Sequence, residues 1–308
     1  MTLWRQEWGQ GRPVIALHPL ALESTVFAGL GRVLARRGVK TIAVDLPGFG
    51  RSVGPADAHT PAQLAEPILA LARGLEEKPV LLGMSLGGRV ALEAALIDPA
   101  AFRGVVLVAP YLPPLRRRWT EAMARRLDPA LAEKIPLEHA WPLLKRIANT
   151  LEARPRFEDD WFMRASARVA YYLSCPATRA HFVAAARDMA LDPAFGPTGT
   201  WTRLAQLALP AASVWGDRDW LIPRGHAAVV AALLPRAQHV RVPCSGHFMH
   251  GQHHRCFEKA MADAVTHVLR AEPRARRPAA SAGAFAIARC FVDHEPAAEP
   301  RPARSASR

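Results

Sequence analysis

The feature that most constrains the fold is a sharp turn at Gly83-Met-Ser85-Leu-Gly87, between an apolar run at residues 79–83 and a run of helix formers at 86–97. A strand-to-helix turn this tight brings neighbouring chain very close. Glycines two residues before and two after the serine remove the Cβ atoms that would clash. The turn also places Ser85 at the positive end of the helix, near backbone N–H groups. This context favours a nucleophilic serine over a serine that merely caps a helix.

Strand-like and helix-like segments alternate on both sides of this turn. Such alternation is typical of an α/β fold, in which a mainly parallel sheet has helices on both faces. The predicted strands cover residues 13–17, 39–44, 79–83, 104–109, 211–215 and 239–242, and the predicted helices cover 25–37, 61–75, 86–97, 224–234 and 256–269.

The alternation is interrupted once and then ends before the end of the chain. Residues 111–209 contain Arg-rich and aromatic helix-like segments separated by prolines, with no convincing strand. We therefore expect a core made of residues 1–110 and 210–270, with a helical insertion at 111–209. Residues 271–308 are mainly Pro, Ala, Arg and Ser, so we expect this tail to be largely disordered.

The formal net charge of +13 raises the question of a nucleic-acid or anionic-membrane partner. Only five of the basic residues are lysines, and the abundance of Arg, Ala and Pro indicates a compositional bias rather than a binding face. The tightest basic cluster, Arg116-Arg117-Arg118, falls in the insertion and accompanies no nucleic-acid-binding motif. We predict no nucleic-acid partner.

The chain also lacks the marks of export or membrane insertion. Its first residues do not form a basic segment followed by a long apolar run and a cleavage site, and no apolar stretch approaches the roughly 18 residues of a membrane span. The four cysteines are scattered and form no C-x-x-C pair, which favours reduced thiols. We expect a cytoplasmic protein without a membrane partner.

A serine hydroxyl is a poor nucleophile unless a histidine accepts its proton. His247 is the best candidate because it follows the predicted strand at 239–242 through a short turn and should reach the same sheet edge as Ser85. The histidine-rich stretch has no carboxylate or cysteine at ligand-like spacing, so we predict no metal and no cofactor. The rival bases, beside the next helix, are His250, His253 and His254.

A third residue should orient the histidine and stabilise its charged form. Two aspartates follow the predicted strand at 211–215, and either could serve. Asp219 is favoured because it lies deeper in the loop, just before an apolar segment, whereas Asp217 is better placed to fix the turn. The order Ser, Asp, His along the chain differs from that of trypsin-like and subtilisin-like enzymes.

Taken together, these motifs resemble those of the lidded serine hydrolases of the α/β-hydrolase fold. The resemblance spans about residues 3–269. It is carried, in order, by His18-Pro19, Asp45-x-x-Gly48-x-Gly50-x-Ser52, Gly83-x-Ser85-x-Gly87-Gly88, and Asp219 followed by Gly246-His247.

The resemblance implies a Ser85–His247–Asp219 triad and an oxyanion hole formed by the N–H groups of Leu20 and Leu86. The chain departs from the family pattern at Pro19, where relatives usually have glycine, but proline does not remove the N–H of Leu20. By the same resemblance His18 is expected to be structural. A second departure is that only one strand fits before Pro13, where such folds usually begin with an antiparallel pair.

The implied function is hydrolysis of a small carboxylic ester, lactone or thioester through an acyl-enzyme, with residues 111–209 as a lid. A serine at position 85 excludes the dehalogenases and epoxide hydrolases of this fold, which use aspartate there. A carbon–carbon bond hydrolase of vinylogous diketones, a cofactor-free perhydrolase and a non-catalytic ligand-binding protein remain alternatives, and the oligomeric state is open. The aromatic residues that could line an apolar pocket under the lid, or simply pack it, are Trp119, Trp141, Trp161, Phe162, Tyr171, Tyr172 and Phe182.

Overall fold

The computed structural model describes residues 3–54, 59–115, 119–134, 139, 160–219, 221–243, 245–247 and 254–272. Within them, seven strands form one sheet in the order β1-β3-β2-β4-β5-β6-β7. The strands are β1 (Arg5–Trp8), β2 (Arg12–Leu17), β3 (Val39–Val44), β4 (Val80–Met84), β5 (Gly104–Val108), β6 (Ala211–Gly216) and β7 (Gln238–Val242).

All neighbouring strands are parallel except β1, which pairs antiparallel with β3 from Arg5 opposite Val44 to Trp8 opposite Thr41. The central strands β4 and β5 are buried at every position, as their continuous apolar sequence predicts for a sheet covered on both faces. The edge strands β1 and β7 alternate between more and less buried residues. The single strand predicted before Pro13 is therefore present as β1.

Helices cover both faces of the sheet, with α1 (Ala28–Ala35) packed against α10 (His254–Arg270) and α2 (Pro61–Arg73) packed against α3 (Leu86–Ile97). The segment predicted as one helix at 25–37 is instead a short 3-10 turn at Ser24–Phe27 followed by α1, in keeping with the poor helix propensity of the β-branched Thr25 and Val26. The helices are α1 (Ala28–Ala35), α2 (Pro61–Arg73), α3 (Leu86–Ile97), α4 (Trp119–Ala124), α5 (Pro129–Lys134), α6 (Asp160–Ser174), α7 (Pro176–Leu191), α8 (Thr200–Leu204), α9 (Arg224–Leu233) and α10 (His254–Arg270).

The described parts of the inserted segment between β5 and β6 consist of helices joined by turns and irregular stretches. Helices α4 to α8 fall in this segment, and no strand occurs among its described residues. The basic cluster at 116–118 and the tail from 273 onward lie outside the described residues. In the described part of the chain, no helix combines the length and the apolar character needed to cross a bilayer.

Candidate active site

Ser85 occupies a strained turn between β4 and α3. Its backbone has φ +52° and ψ −115°, a conformation that L-residues rarely adopt. A Cβ atom on Gly83 would lie 2.1 Å from the carbonyl oxygen of Gly87, and one on Gly87 would lie 2.2 Å from the carbonyl oxygen of Leu17. Both glycines are therefore required by close backbone approach, as the sequence predicted.

Backbone hydrogen bonds hold this turn against the next strand. The N–H of Ser85 donates to the carbonyl of Val108 at 3.0 Å. The Ser85 carbonyl accepts from Arg89 at 3.1 Å and from Tyr111 at 2.9 Å. The serine is thus fixed both to its own helix and to the first residue of the inserted segment. Ser85 is only 6% exposed.

A buried histidine–carboxylate pair is formed by the loops that follow β6 and β7. The Nδ1 atom of His247 is 2.9 Å from Oδ2 of Asp219, and the two residues are 2% and 5% exposed. The other oxygen of Asp219, Oδ1, accepts from the backbone N–H groups of Leu221 at 3.0 Å and Ile222 at 2.9 Å. These bonds hold the carboxylate so that the imidazole donates from Nδ1 and keeps its lone pair on Nε2.

Asp217, the other candidate acid, is exposed to solvent. Its backbone N–H donates to Val242, which ties the turn after β6 to the end of β7. Of the two aspartates, Asp219 is therefore the one that accepts the hydrogen bond from His247. Among the rival histidines, His250 and His253 lie outside the described residues, and of His254 only the backbone, at the start of α10, is described.

The loops that carry Asp219 and His247 pack directly on each other. The N–H of Arg218 donates to the carbonyl of Ser245 at 2.9 Å. A Cβ on Gly216 would lie 2.2 Å from that same carbonyl oxygen, so only glycine allows this approach. Since β4, β6 and β7 are parallel, Ser85, Asp219 and His247 all follow the carboxyl ends of strands at one edge of the sheet.

His18 is buried and uses both ring nitrogens in the scaffold. Its Nε2 accepts from the N–H of Leu46 at 2.9 Å, so its Nδ1 donates to the carbonyl of Pro19 at 2.8 Å. Burial lowers the pKa of His18, with opposing contributions from the Pro19 carbonyl and nearby carboxylates, which favours the neutral ring that these two bonds require. The geometry agrees with a structural part for this histidine.

The loop after β3 is organised by the carboxylate of Asp45. Its Oδ1 accepts from the N–H of Ser24 at 2.6 Å, and its Oδ2 accepts from the N–H of Arg51 at 2.8 Å. Gly50 has φ +57°, and a Cβ there would lie 2.1 Å from Asp45 Oδ2. The loop packs on His18 through Phe49, whose ring is 5.8 Å from the imidazole in an edge-on arrangement.

Two helices of the inserted segment rest on this loop. The hydroxyl of Tyr172 in α6 accepts a hydrogen bond from the N–H of Gly50, and its ring is 5.7 Å from that of Phe49. His181 in α7 lies so close that a Cβ on Gly48 would be 2.8 Å from its Nδ1. The inserted segment is therefore in contact with the sheet edge that carries Ser85.

The predicted pocket aromatics have different environments. Tyr172 is buried, Phe182 is partly buried against the core, and Tyr171 is 51% exposed. The side chains of Trp119, Trp161 and Phe162 and the whole of Trp141 lie outside the described part of the chain, so their contribution to a pocket stays a prediction.

Sequence reasoning missed a buried cluster of four charged residues beside the nucleophile helix. Arg89 and Glu93 in α3 pair with each other and with Asp192 and Arg203 of the inserted segment. Burial lowers the pKa of Arg89, but the adjacent Asp192 and Glu93 carboxylates outweigh this effect, so the pKa is raised. The only sequence signal was the i,i+4 spacing of Arg89 and Glu93, which does not reveal a partner 103 residues away.

Comparison with known proteins agrees with this architecture. The sequence profile of the α/β hydrolase fold family matches residues 12–254, most of the chain. The chain belongs to the α/β hydrolase fold family. In the described residues of this α/β hydrolase, no group of three or more His, Cys, Asp or Glu side chains is arranged to hold a metal ion.

Among the proteins to which the chain is similar are several esterases. A pimeloyl-[acyl-carrier protein] methyl ester esterase of Chromobacterium violaceum is 28% identical, over 85% of this chain and 98% of that protein. One from Xanthomonas oryzae pv. oryzae is 31% identical, over 78% and 89%. A thermophilic esterase from Thermogutta terrifontis superimposes with a TM-score of 0.66 at 24% identity, covering 86% of this chain and 93% of that one. The related sequences support an ester-hydrolase activity for this chain, and the structural superposition supports the assignment of its fold.

Proposed function

We propose that this α/β hydrolase cleaves a small carboxylic ester, lactone or thioester through an acyl-enzyme on Ser85. The observation that carries the proposal is the buried 2.9 Å hydrogen bond from His247 Nδ1 to Asp219, which leaves the Nε2 lone pair to act as a base. The strained backbone at Ser85 adds support, because strain of this kind at a strand-to-helix turn is typical of a nucleophilic serine.

In the first step, His247 Nε2 takes the proton of the Ser85 hydroxyl while Oγ attacks the substrate carbonyl carbon. The tetrahedral intermediate then collapses, the bond to the leaving oxygen or sulfur breaks, and His247 returns the proton to the leaving group. In the second step, water loses a proton to His247 and attacks the acyl-serine, releasing the carboxylic acid. Asp219 keeps the imidazole in the required tautomer and stabilises its charged form.

The oxyanion is proposed to bind the N–H groups of Leu20 and Leu86. Leu86 is the first residue of α3, where N–H groups have no acceptor within the helix. The carbonyl of Pro19 accepts from His18, and in a trans peptide the N–H of Leu20 points the opposite way. A Cβ on Gly87 would be 2.7 Å from the His18 carbonyl oxygen, so the start of α3 and the loop after β2, which supply the two donors, are in contact.

Residues 111–209 are proposed to form a lid that supplies most of the specificity. The contacts of Tyr172 and His181 with the loop at 45–52 support this, since they hold α6 and α7 at the reactive edge of the sheet. The related proteins act, by name, on a methyl ester of an acyl group attached to a carrier protein. Methyl esters of medium-length acyl chains are therefore the first substrates to assay.

The test compares Ser85→Ala with the wild type and with Ser174→Ala, an exposed serine in α6. Hydrolysis of 4-nitrophenyl esters and of methyl esters is followed at matched enzyme concentration, with circular dichroism to verify folding. Ser85→Ala should lower kcat by about 10⁶-fold, the scale seen when a nucleophilic serine is removed, while Ser174→Ala keeps the wild-type rate. Undiminished turnover in folded Ser85→Ala would refute the proposal.

A further inference from the structure

The charged cluster beside α3 links the nucleophile turn to the inserted segment through a forked ion pair. Arg89 donates from Nε to Asp192 Oδ2 at 2.6 Å and from Nη2 to Asp192 Oδ1 at 3.1 Å. Its remaining nitrogen, Nη1, donates to Glu93 Oε2 at 2.6 Å. Planar forks of this kind fix direction as well as distance, which a single point charge does not.

The pair is buried and its partners are satisfied. Arg89 is 2% exposed. Glu93 also accepts from Arg203 at 2.8 Å, and Thr200 donates its hydroxyl proton to Asp192 Oδ2 at 2.8 Å. Two positive and two negative charges balance within the cluster. Because a buried pair can often be replaced by apolar side chains without loss of stability, its presence here is better explained by the geometry it imposes than by stability.

Each end of this fork is tied to a part of the candidate active site. On one side, the N–H of Arg89 donates to the carbonyl of Ser85, one helical turn away. On the other side, Asp192 directly follows α7, the helix that carries His181 against Gly48. A shift of Asp192 relative to Arg89 therefore moves α7 relative to Ser85.

The inserted segment is also tied to its own beginning. The indole N–H of the buried Trp201 donates to the carbonyl of Pro113 at 2.9 Å, and the N–H of Tyr111 donates to Ser85. An open surface cleft of about 310 Å³ lies beside the cluster and is lined by Arg89, Asp192 and Asp188 among others. This space lets α7 change position when the fork is broken.

We infer that the Arg89–Asp192 pair is a positioning device that sets acyl-chain selectivity by fixing α7 relative to the nucleophile turn. The inference rests on the proposed function, with Ser85 as nucleophile and residues 111–209 as lid. Neither residue needs to touch substrate. If α7 borders the acyl-binding space, breaking the fork displaces that border, which affects a long acyl chain much more than an acetyl group.

The experiment measures kcat and KM for 4-nitrophenyl acetate and 4-nitrophenyl octanoate. Arg89→Lys keeps the charge but loses the fork, and Asp192→Asn keeps the shape but loses the charge. Val265→Ala is the control, because it removes buried core volume from α10, on the opposite face of the sheet, and lowers stability without touching the pair. Thermal unfolding is recorded for every variant.

The octanoate-to-acetate ratio of kcat/KM should change by about tenfold in both Arg89→Lys and Asp192→Asn, the lower end of the discrimination that a hydrophobic pocket makes for a single methylene. In Val265→Ala the ratio should stay at the wild-type value although the melting temperature falls. A ratio unchanged in the two fork variants, or changed equally in Val265→Ala, overturns the inference and makes the pair purely structural.

A double variant keeps the test decisive if the single variants fold poorly. Arg89→Met with Asp192→Leu fills the same space with apolar side chains, and it should fold while retaining the altered ratio. A wild-type ratio in this double variant would show that packing alone positions α7. Failure of the proposed function is a separate outcome, since the wild-type enzyme would then hydrolyse neither ester.

Discussion

Replacing Gly87 with alanine tests the claim that backbone crowding, not glycine flexibility, dictates the turn at Ser85. The added Cβ would lie 2.2 Å from the Leu17 carbonyl oxygen and 2.7 Å from that of His18. Both neighbours are backbone atoms of β2 and its loop, so no side chain can rotate away. Ordinary contacts begin at 3.4 Å, so the helix and the loop must separate by about 1.2 Å, the difference between 3.4 and 2.2 Å, an overpacking strain of the kind that costs about 1–3 kcal/mol.

The separation also displaces the proposed oxyanion donors, because Leu20 belongs to one segment and Leu86 to the other. A misplacement of about 1 Å in a catalytic arrangement costs on the order of 100-fold in rate. We expect Gly87→Ala to lower kcat for a 4-nitrophenyl ester by about that factor. Urea unfolding should show a loss of about 1–3 kcal/mol in the free energy of unfolding.

Gly74→Ala is the matched control. This glycine follows α2 with φ −83°, and a Cβ there would meet its nearest neighbour at 3.5 Å. Alanine fits such a position and should leave the rate unchanged, with unfolding free energy equal to the wild type or higher by about 0.4–1 kcal/mol. Wild-type stability and turnover in Gly87→Ala would refute the crowding argument.

Three further predictions concern the candidate site and its surroundings. Asp219→Asn should lower kcat by about 10⁴-fold through loss of the correct imidazole tautomer, whereas Asp217→Asn, at an exposed position, keeps the wild-type rate; equal losses in a steady-state assay would contradict the assignment. Tyr172→Phe leaves the N–H of Gly50 without its acceptor and should cost about 1–3 kcal/mol of unfolding free energy in urea, an effect whose absence would dismiss that contact. Burial lowers the pKa of His181, so its contribution to stability is full above the unfolded-state pKa of about 6.5 and is lost as the pH falls through the lower folded-state pKa. The free energy of unfolding in urea should therefore fall less for His181→Gln than for the wild type between about pH 7.5 and 5.5. The same pH dependence in the two proteins would rule this out.

The sequence was most informative where local chemistry decides the structure. Every strand predicted from an apolar run is present within a residue or two, because burial on both faces leaves little choice of residue type in a parallel sheet. The close approaches at Gly83 and Gly87 were also predictable, since a tight strand-to-helix turn leaves no room for a Cβ.

The candidate site was less predictable wherever it depends on distant partners. The position of Asp219 in its loop favoured it over Asp217, but only the folded loop shows that its carboxylate is buried and held by two backbone N–H groups. The contacts of Tyr172 with Gly50 and of Arg89 with Asp192 join residues 122 and 103 positions apart. Periodicity and short motifs carry no information about pairings at that separation.

Covalent labelling with a fluorophosphonate, followed by mass spectrometry of the digested protein, tests directly whether Ser85 is an activated nucleophile. Phosphonylation requires a serine that is both activated and accessible. We expect one label per chain on the peptide that contains Ser85, none in Ser85→Ala, and much slower labelling in His247→Ala. An unlabelled Ser85 in the folded wild-type protein, or a label at another serine, would contradict this assignment.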